Sequence, residues 1–175
     1  MTQLEEAAAD YYDDLAEKVT VLGTEKDDVI RAKGLENGDL HVQLFDASKE
    51  GDADEKYFDR VFHESETKEV VIYGLDGDDR FETSGESSGI RLRLIGGTDG
   101  DEVNADGNLR AKAYDEKDGM KFSGATSRVK DLRNDKHPDL NQYNFEEYYP
   151  DFTSPIPAFG FNVDDGLLLG MGFTR

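Results

Sequence analysis

Apolar positions along this chain recur with two different periods. Leu4, Ala8, Tyr11, Tyr12, Leu15, Ala16 and Val19 are spaced by threes and fours, which lines one face of a helix. Thr2 stands three residues ahead of Glu5, the S/T-x-x-E arrangement that caps a helix start. The pattern predicts a helix over residues 1–18. From Val19 the period falls to two, the signature of strands with one buried face. VTVL (19–22), VIRAK (29–33), LHVQLF (40–45), YFDRVF (57–62), VVIY (70–73), IRLRLI (90–95) and NLRAKAY (108–114) all read as strands. Asn37-Gly38 inside GLENGD is a hairpin signal, because both residues tolerate the positive φ of a tight turn. The polar run DASKEGDADEK (46–56) reads as a loop tip.

Three turns between these strands share one plan. Gly23-Thr-Glu-Lys-Asp-Asp28-Val-Ile30, Gly74-Leu-Asp-Gly-Asp-Asp79-Arg-Phe81 and Gly96-Gly-Thr-Asp-Gly-Asp101-Glu-Val103 each begin with glycine. An aspartate follows five residues later, and an apolar residue two beyond that. Repeated strand–turn–strand units predict a mainly β module over 19–115. It is either solenoid-like, with stacked turns, or a sandwich of antiparallel hairpins.

Beyond Asp115 the periodicity fades, and residues 116–157 read as a linker with an extended, proline-containing end. Residues 158–175 change character. Leu167, Leu169, Met171 and Phe173 alternate with Leu168, Gly170 and Gly172, so one parity is wholly apolar and the other mostly small. That pattern suits the opening strand of an outer-membrane barrel or the last strand of a soluble sheet. A barrel needs at least eight strands, so this segment alone does not insert into a membrane.

Charge narrows the function. With 40 acidic against 20 basic residues the chain carries a formal −20, which argues against nucleic acid as a partner. An acidic surface adapted to high salt and a set of calcium ligands both account for so many carboxylates. The chain has no cysteine, which excludes disulfides and thiolate metal sites. His41, His63 and His137 fall in separate elements without metal-ligand spacing, and neither a nucleophile elbow nor a phosphate loop occurs. Acid pairs such as Asp164-Asp165 are what this composition produces anyway, so no catalytic residue is assigned.

The chemistry the residues do suggest is calcium binding. The Gly74 turn offers Asp76, Asp78 and Asp79, and the Gly96 turn offers Asp99 and Asp101. Calcium takes six to eight oxygens from carboxylates and carbonyls, and stacked turns would bring both sets together. Good turn formers at turn positions are the plainer account of the same glycines and aspartates.

These turns resemble the repeats-in-toxin nonapeptide GGxGxDxUx, in which calcium sits between stacked coils. Leu75 stands at the second glycine of that pattern and Asp99 at the third. Separately, TKEVVIYGLDGDDRFETSG, IRLRLIGGTDGDEV and PIPAFGFNVDDGLLLGMGF resemble the region ahead of the barrel in large bacterial outer-membrane proteins. Those proteins belong to the surface-antigen/barrel-assembly superfamily, and many carry a calcineurin-like metallophosphoesterase domain upstream. The phosphoesterase's own metal motifs are absent, so no catalytic residue carries over. The resemblance implies a non-catalytic, calcium-stabilised module at the outer membrane, on its periplasmic or external side. Its partners would be the soluble domain and the barrel of the same parent chain. A freestanding, secreted, calcium-dependent adhesion or ligand-binding module is the alternative.

Overall fold

The computed structural model describes residues 11–12, 15–133 and 141–144, and strands 154–162 and 166–174. The chain forms two compact units, Met1–Tyr143 and Asn144–Arg175. In the first, helical residues 11–12 and 15–17 lead directly into strand β1 (Lys18–Leu22). The chain then alternates between two sheets. After β1 come β2 (Asp28–Gly34), β3 (Leu40–Ala47), β4 (Ala53–Phe62), β5 (Glu69–Leu75) and β6 (Arg80–Gly85). These are followed by β7 (Arg91–Gly97), β8 (Asp101–Ala105), β9 (Ala111–Tyr114), β10 (Met120–Gly124) and β11 (Val129–Asp131).

One sheet has the order β1-β5-β7-β9-β11, parallel throughout. The other has the order β10-β8-β6-β2-β3-β4, parallel from β10 to β2 and antiparallel from β2 to β4. Each coil therefore places one strand in each sheet and then stacks on the coil before it. This is a two-sheet parallel β-solenoid. The sandwich of hairpins does not form, because in this unit only the β2–β3 and β3–β4 pairs are antiparallel.

Alternation along the strands builds the core. Val70 and Ile72, Leu92 and Leu94, and Ala111 and Ala113 point inward from one sheet, against Ile30, Phe81 and Val103 from the other. The apolar residue two beyond each turn aspartate is thus the first core residue of the next strand. Leu40, Val42, Leu44 and Phe62 join the same cluster, so the β3–β4 hairpin extends the core past the first coil. That hairpin also accounts for the spacing of the turns. The first coil is 51 residues long because it carries the hairpin, and the next is 22.

Three boundaries differ from the sequence reading. Residues 116–157 are not wholly linker, because β10 and β11 continue the solenoid. Met120 and Val129 are buried there, but short strands separated by polar turns hide the period. The polar run 46–56 contributes most of its residues to β3 and β4, leaving a short turn with Gly51 at φ +83°. The C-terminal unit is a hairpin rather than one strand: β12 (Ser154–Asn162) pairs antiparallel with β13 (Gly166–Thr174). Its register pairs Phe161 with Leu167, Phe159 with Leu169 and Pro157 with Met171.

Leu94 lies at the centre of the core and is fully buried, whereas Val61 on the edge strand is 37% exposed. Leu94→Ala is expected to cost about 2–5 kcal/mol and Val61→Ala under about 1 kcal/mol, measured by denaturant unfolding.

Candidate functional site

The three repeated turns form one corner of the solenoid, stacked coil on coil. Two ladders of hydrogen bonds tie them together. In the inner ladder the Asp28 amide N–H donates to Asp79 Oδ1 at 2.9 Å, and the Asp79 N–H donates to Asp101 Oδ1 at 2.9 Å. In the outer ladder the direction reverses: the Asp78 N–H donates to Asp27 Oδ1 at 3.0 Å, and the Gly100 N–H to Asp78 Oδ1 at 2.9 Å. Thr98 Oγ1 adds a bond to Asp76 Oδ1 at 2.7 Å. The aspartates thus satisfy turn amides that lie outside the strand ladders.

The glycine five residues earlier belongs to the same device. A Cβ on Gly74 would lie 2.0 Å from Asp79 Oδ2, and one on Gly96 would lie 2.0 Å from Asp101 Oδ2. Each inner carboxyl is folded back over the glycine that opens its own turn. Only a residue without a side chain leaves room for it. Asp28 bends over Gly23 in the same way, and its Oδ2 also accepts the Thr24 N–H at 2.6 Å.

The two later turns share a further feature. Leu75 and Asp99, which replace glycines of the repeats-in-toxin pattern, are the non-glycine residues with positive φ among the described residues, at 87° and 74°. Gly97 and Gly77 occupy the corresponding places in the other turn, at φ 129° and 107°. The backbone follows the glycine pattern even where the side chain does not.

Burial sets the electrostatics. Asp28, Asp79, Asp101 and Asp115 are each at most 1% exposed. Burial raises the Asp79 pKa to about 9, with the Asp101 and Asp28 carboxylates adding to the shift and the Asp28 N–H opposing it. Burial likewise raises Asp101 to about 8, helped by Asp115 beside it. Asp115 is raised for the same first reason, while its contact with Asp101 works the other way. Burial therefore favours the neutral form at both Asp101 and Asp115.

Asp115 ends the ladder. Met120 pairs with Asp101, so the fourth coil has methionine where the earlier coils have the inner aspartate. The carboxyl instead enters from the start of the turn, beside Gly96. Asp28 shares the repeat spacing but was left out of the predicted ligand set. Asp115 breaks the spacing, and only the following Gly119, whose Cβ would lie 2.5 Å from Asp115 Oδ1, marks it.

Of the five predicted ligands, Asp79 and Asp101 lie inside the corner, and Asp76, Asp78 and Asp99 are exposed on its rim. The two turns do stack, yet among the described residues no three carboxylates or histidines are grouped to hold a metal ion. The first oxygens of Asp76, Asp78, Asp79 and Asp101 are taken by hydrogen bonds, and the second oxygens of Asp79 and Asp101 face glycine. As placed, these residues form a hydrogen-bonded corner and do not fit a single shared-ion cage. Asp28 Oδ1, Asp79 Oδ2, Asp101 Oδ2 and Asp115 Oδ2 have no hydrogen-bond partner among the described residues. His137 and the pair Asp164-Asp165 lie outside the described residues.

No family, curated protein or solved structure matches the chain in comparisons with known proteins.

A raised pKa in the folded state means that folding takes up a proton which the unfolded chain releases near 3.8. Asp79 therefore favours the fold most at low pH, and its contribution declines as pH rises from about 4 towards about 9. Asp79→Asn retains an oxygen for the Asp28 N–H but cannot ionise. Thermal unfolding across that range is expected to show a smaller loss of stability with pH in Asp79→Asn than in the unaltered chain.

Proposed function

We propose that this chain is a non-catalytic β-solenoid spacer joining a soluble domain to an outer-membrane β-barrel of the same parent protein. The observation that carries the reading is the C-terminal hairpin. Two nine-residue antiparallel strands match the roughly 9–11 residues with which a tilted strand spans a bilayer. Their register pairs bulky apolar positions with one another, while the alternate pairs Ile156–Gly172, Ala158–Gly170 and Gly160–Leu168 each hold at least one small residue. Apolar and small positions alternating in this way suit a strand with lipid on one side and a lumen on the other.

The solenoid supplies what a spacer needs. Its coils are tied by parallel ladders along both sheets and by the aspartate ladders at one corner. A repeat array of this sort resists bending because each coil is fixed to the next. Calcium is not required for that rigidity.

A freestanding calcium-dependent adhesion module is favoured by one observation. The stacked acidic turns leave four buried carboxyl oxygens without a hydrogen-bond partner among the described residues, at Asp28, Asp79, Asp101 and Asp115. In that reading calcium replaces the protons.

Two measurements separate the readings. In cell fractionation, the parent protein should partition with the outer membrane, and its reading frame should continue past Arg175 into alternating barrel-type segments. A stop codon directly after Arg175 overturns the spacer. The second is thermal unfolding of chelator-treated protein with millimolar calcium added back. The adhesion reading expects a rise of several degrees, as for a ligand well above its Kd, and the spacer expects about none.

A further inference from the structure

We propose that the outer face of the β7-β9-β11 region binds an anionic polysaccharide bearing about one carboxylate per sugar, independently of the spacer reading. In a chain of net charge −20, this face collects Arg91, Arg93, Arg110, Lys112, Arg128 and Lys130 along a shallow groove of about 310 Å³. The register places them side by side, with Arg93 opposite Lys112 and Lys112 opposite Lys130. Arg91 opens β7, Arg110 immediately precedes β9 and Arg128 closes the short 3-10 turn (Thr126–Arg128) before β11, and all three line the same groove.

Neighbouring strands are about 4.8 Å apart, so like charges in such rows repel one another. Among the described residues Glu69 is the one counter-ion, 3.6 Å from Arg91 and 3.7 Å from Arg93. Arg110, Lys112, Arg128 and Lys130 are exposed and form no ion pair among the described residues. Arg93 is held upright by the Tyr114 ring, its guanidinium carbon 4.7 Å from the ring centre. A repulsive array kept in place on a flat, rigid sheet is a surface matched to negative charge from outside.

Charge density and shape select the occupant. A duplex presents a charge every ~1.7 Å, which maximises repulsion from the other, acidic faces of the chain. A polymer with one carboxylate per sugar carries a sparser charge, closer to the strand spacing. Its hydroxyls also accept the guanidinium donors that the carboxylates leave over, and arginine forks take carboxylates two bonds at a time. A membrane surface calls for an apolar fringe as well. The exposed large apolar side chains, such as Leu22, Tyr57 and Val61, lie away from this groove.

The test is calorimetric titration of the full chain with polygalacturonate at ionic strengths of ~0.02 M and ~0.15 M. Binding that weakens with salt is expected. Combining Arg110→Gln, Lys112→Gln, Arg128→Gln and Lys130→Gln should reduce affinity about tenfold or more. Combining Lys26→Gln, Lys33→Gln, Lys49→Gln and Lys121→Gln, outside the groove, removes the same charge and should leave affinity unchanged. Circular dichroism of both variants should match the unaltered chain. If the groove variant unfolds, Arg110→Glu alone serves in its place, with the same direction expected. No binding at low salt, or equal loss in both variants, overturns the proposal. So does tighter binding to polyglutamate, to a single-stranded oligodeoxynucleotide or to phosphatidylglycerol vesicles.

Discussion

One contact organises the solenoid: an aspartate carboxyl laid over the glycine that opened its turn, with its other oxygen taking an amide from the adjacent coil. Parallel strands by themselves leave register weakly determined, since each backbone bond looks like the next. A slip by one residue would send every core side chain to the solvent face. In this corner the same slip would also part the Asp28 and Asp79 N–H groups from the carboxyls of the adjacent coils that accept them. Hydrophobic alternation and corner geometry therefore enforce the same alignment. Agreement between local and global preference is what gives a chain one fold.

Burying four carboxyls in so small a space is costly, and the ladder offsets the cost in two ways. Each inner aspartate that joins the ladder accepts an amide whose loss would itself cost about 1–3 kcal/mol. Burial also raises the pKa of all four, and the neutral carboxyl that this favours accepts the same bond without a buried charge. Outside the corner the acidic rim, with Asp76, Asp78 and Asp99, is exposed to water.

Much of this was legible in the chain itself. The period-two strands from VTVL to NLRAKAY each overlap one of β1 to β5, β7 and β9, while β6 and β8, which begin at or just after the turn aspartates, are not among them. The recurring glycine, aspartate and apolar residue mark the corner and the first core position of the first three coils. What pattern could not convey was distance across the corner. Spacing shows that Asp79 and Asp101 occupy equivalent places, but ligands for one ion and successive rungs of a ladder have the same spacing. The end of the solenoid was hidden for a related reason. At the fourth coil the carboxyl moves from the end of the turn to its start, and methionine takes the inner place, so the repeat ceases to be readable although the strands continue. The hairpin β3–β4 concealed the first coil in the same manner, by separating its turn from the others by 51 residues.

Net charge is a poor guide to such a molecule. The four innermost acids contribute little to the field if they hold protons, while the exposed acids lie at turns and along the β3–β4 hairpin. Exposed bases are unevenly distributed too, because alternation on β7, β9 and β11 places every other residue outward and most of those are arginine or lysine. The stacking that aligns aspartates at the corner also aligns cations on this face, since in a parallel solenoid any repeated position becomes a row. A sum over the whole chain averages the two and hides both. Partners meet faces, and screening over about 8 Å at physiological salt keeps each face electrostatically separate. The argument against nucleic acid drawn from a total of −20 therefore treats the molecule as a distant point charge and does not describe the charge on the face of one sheet.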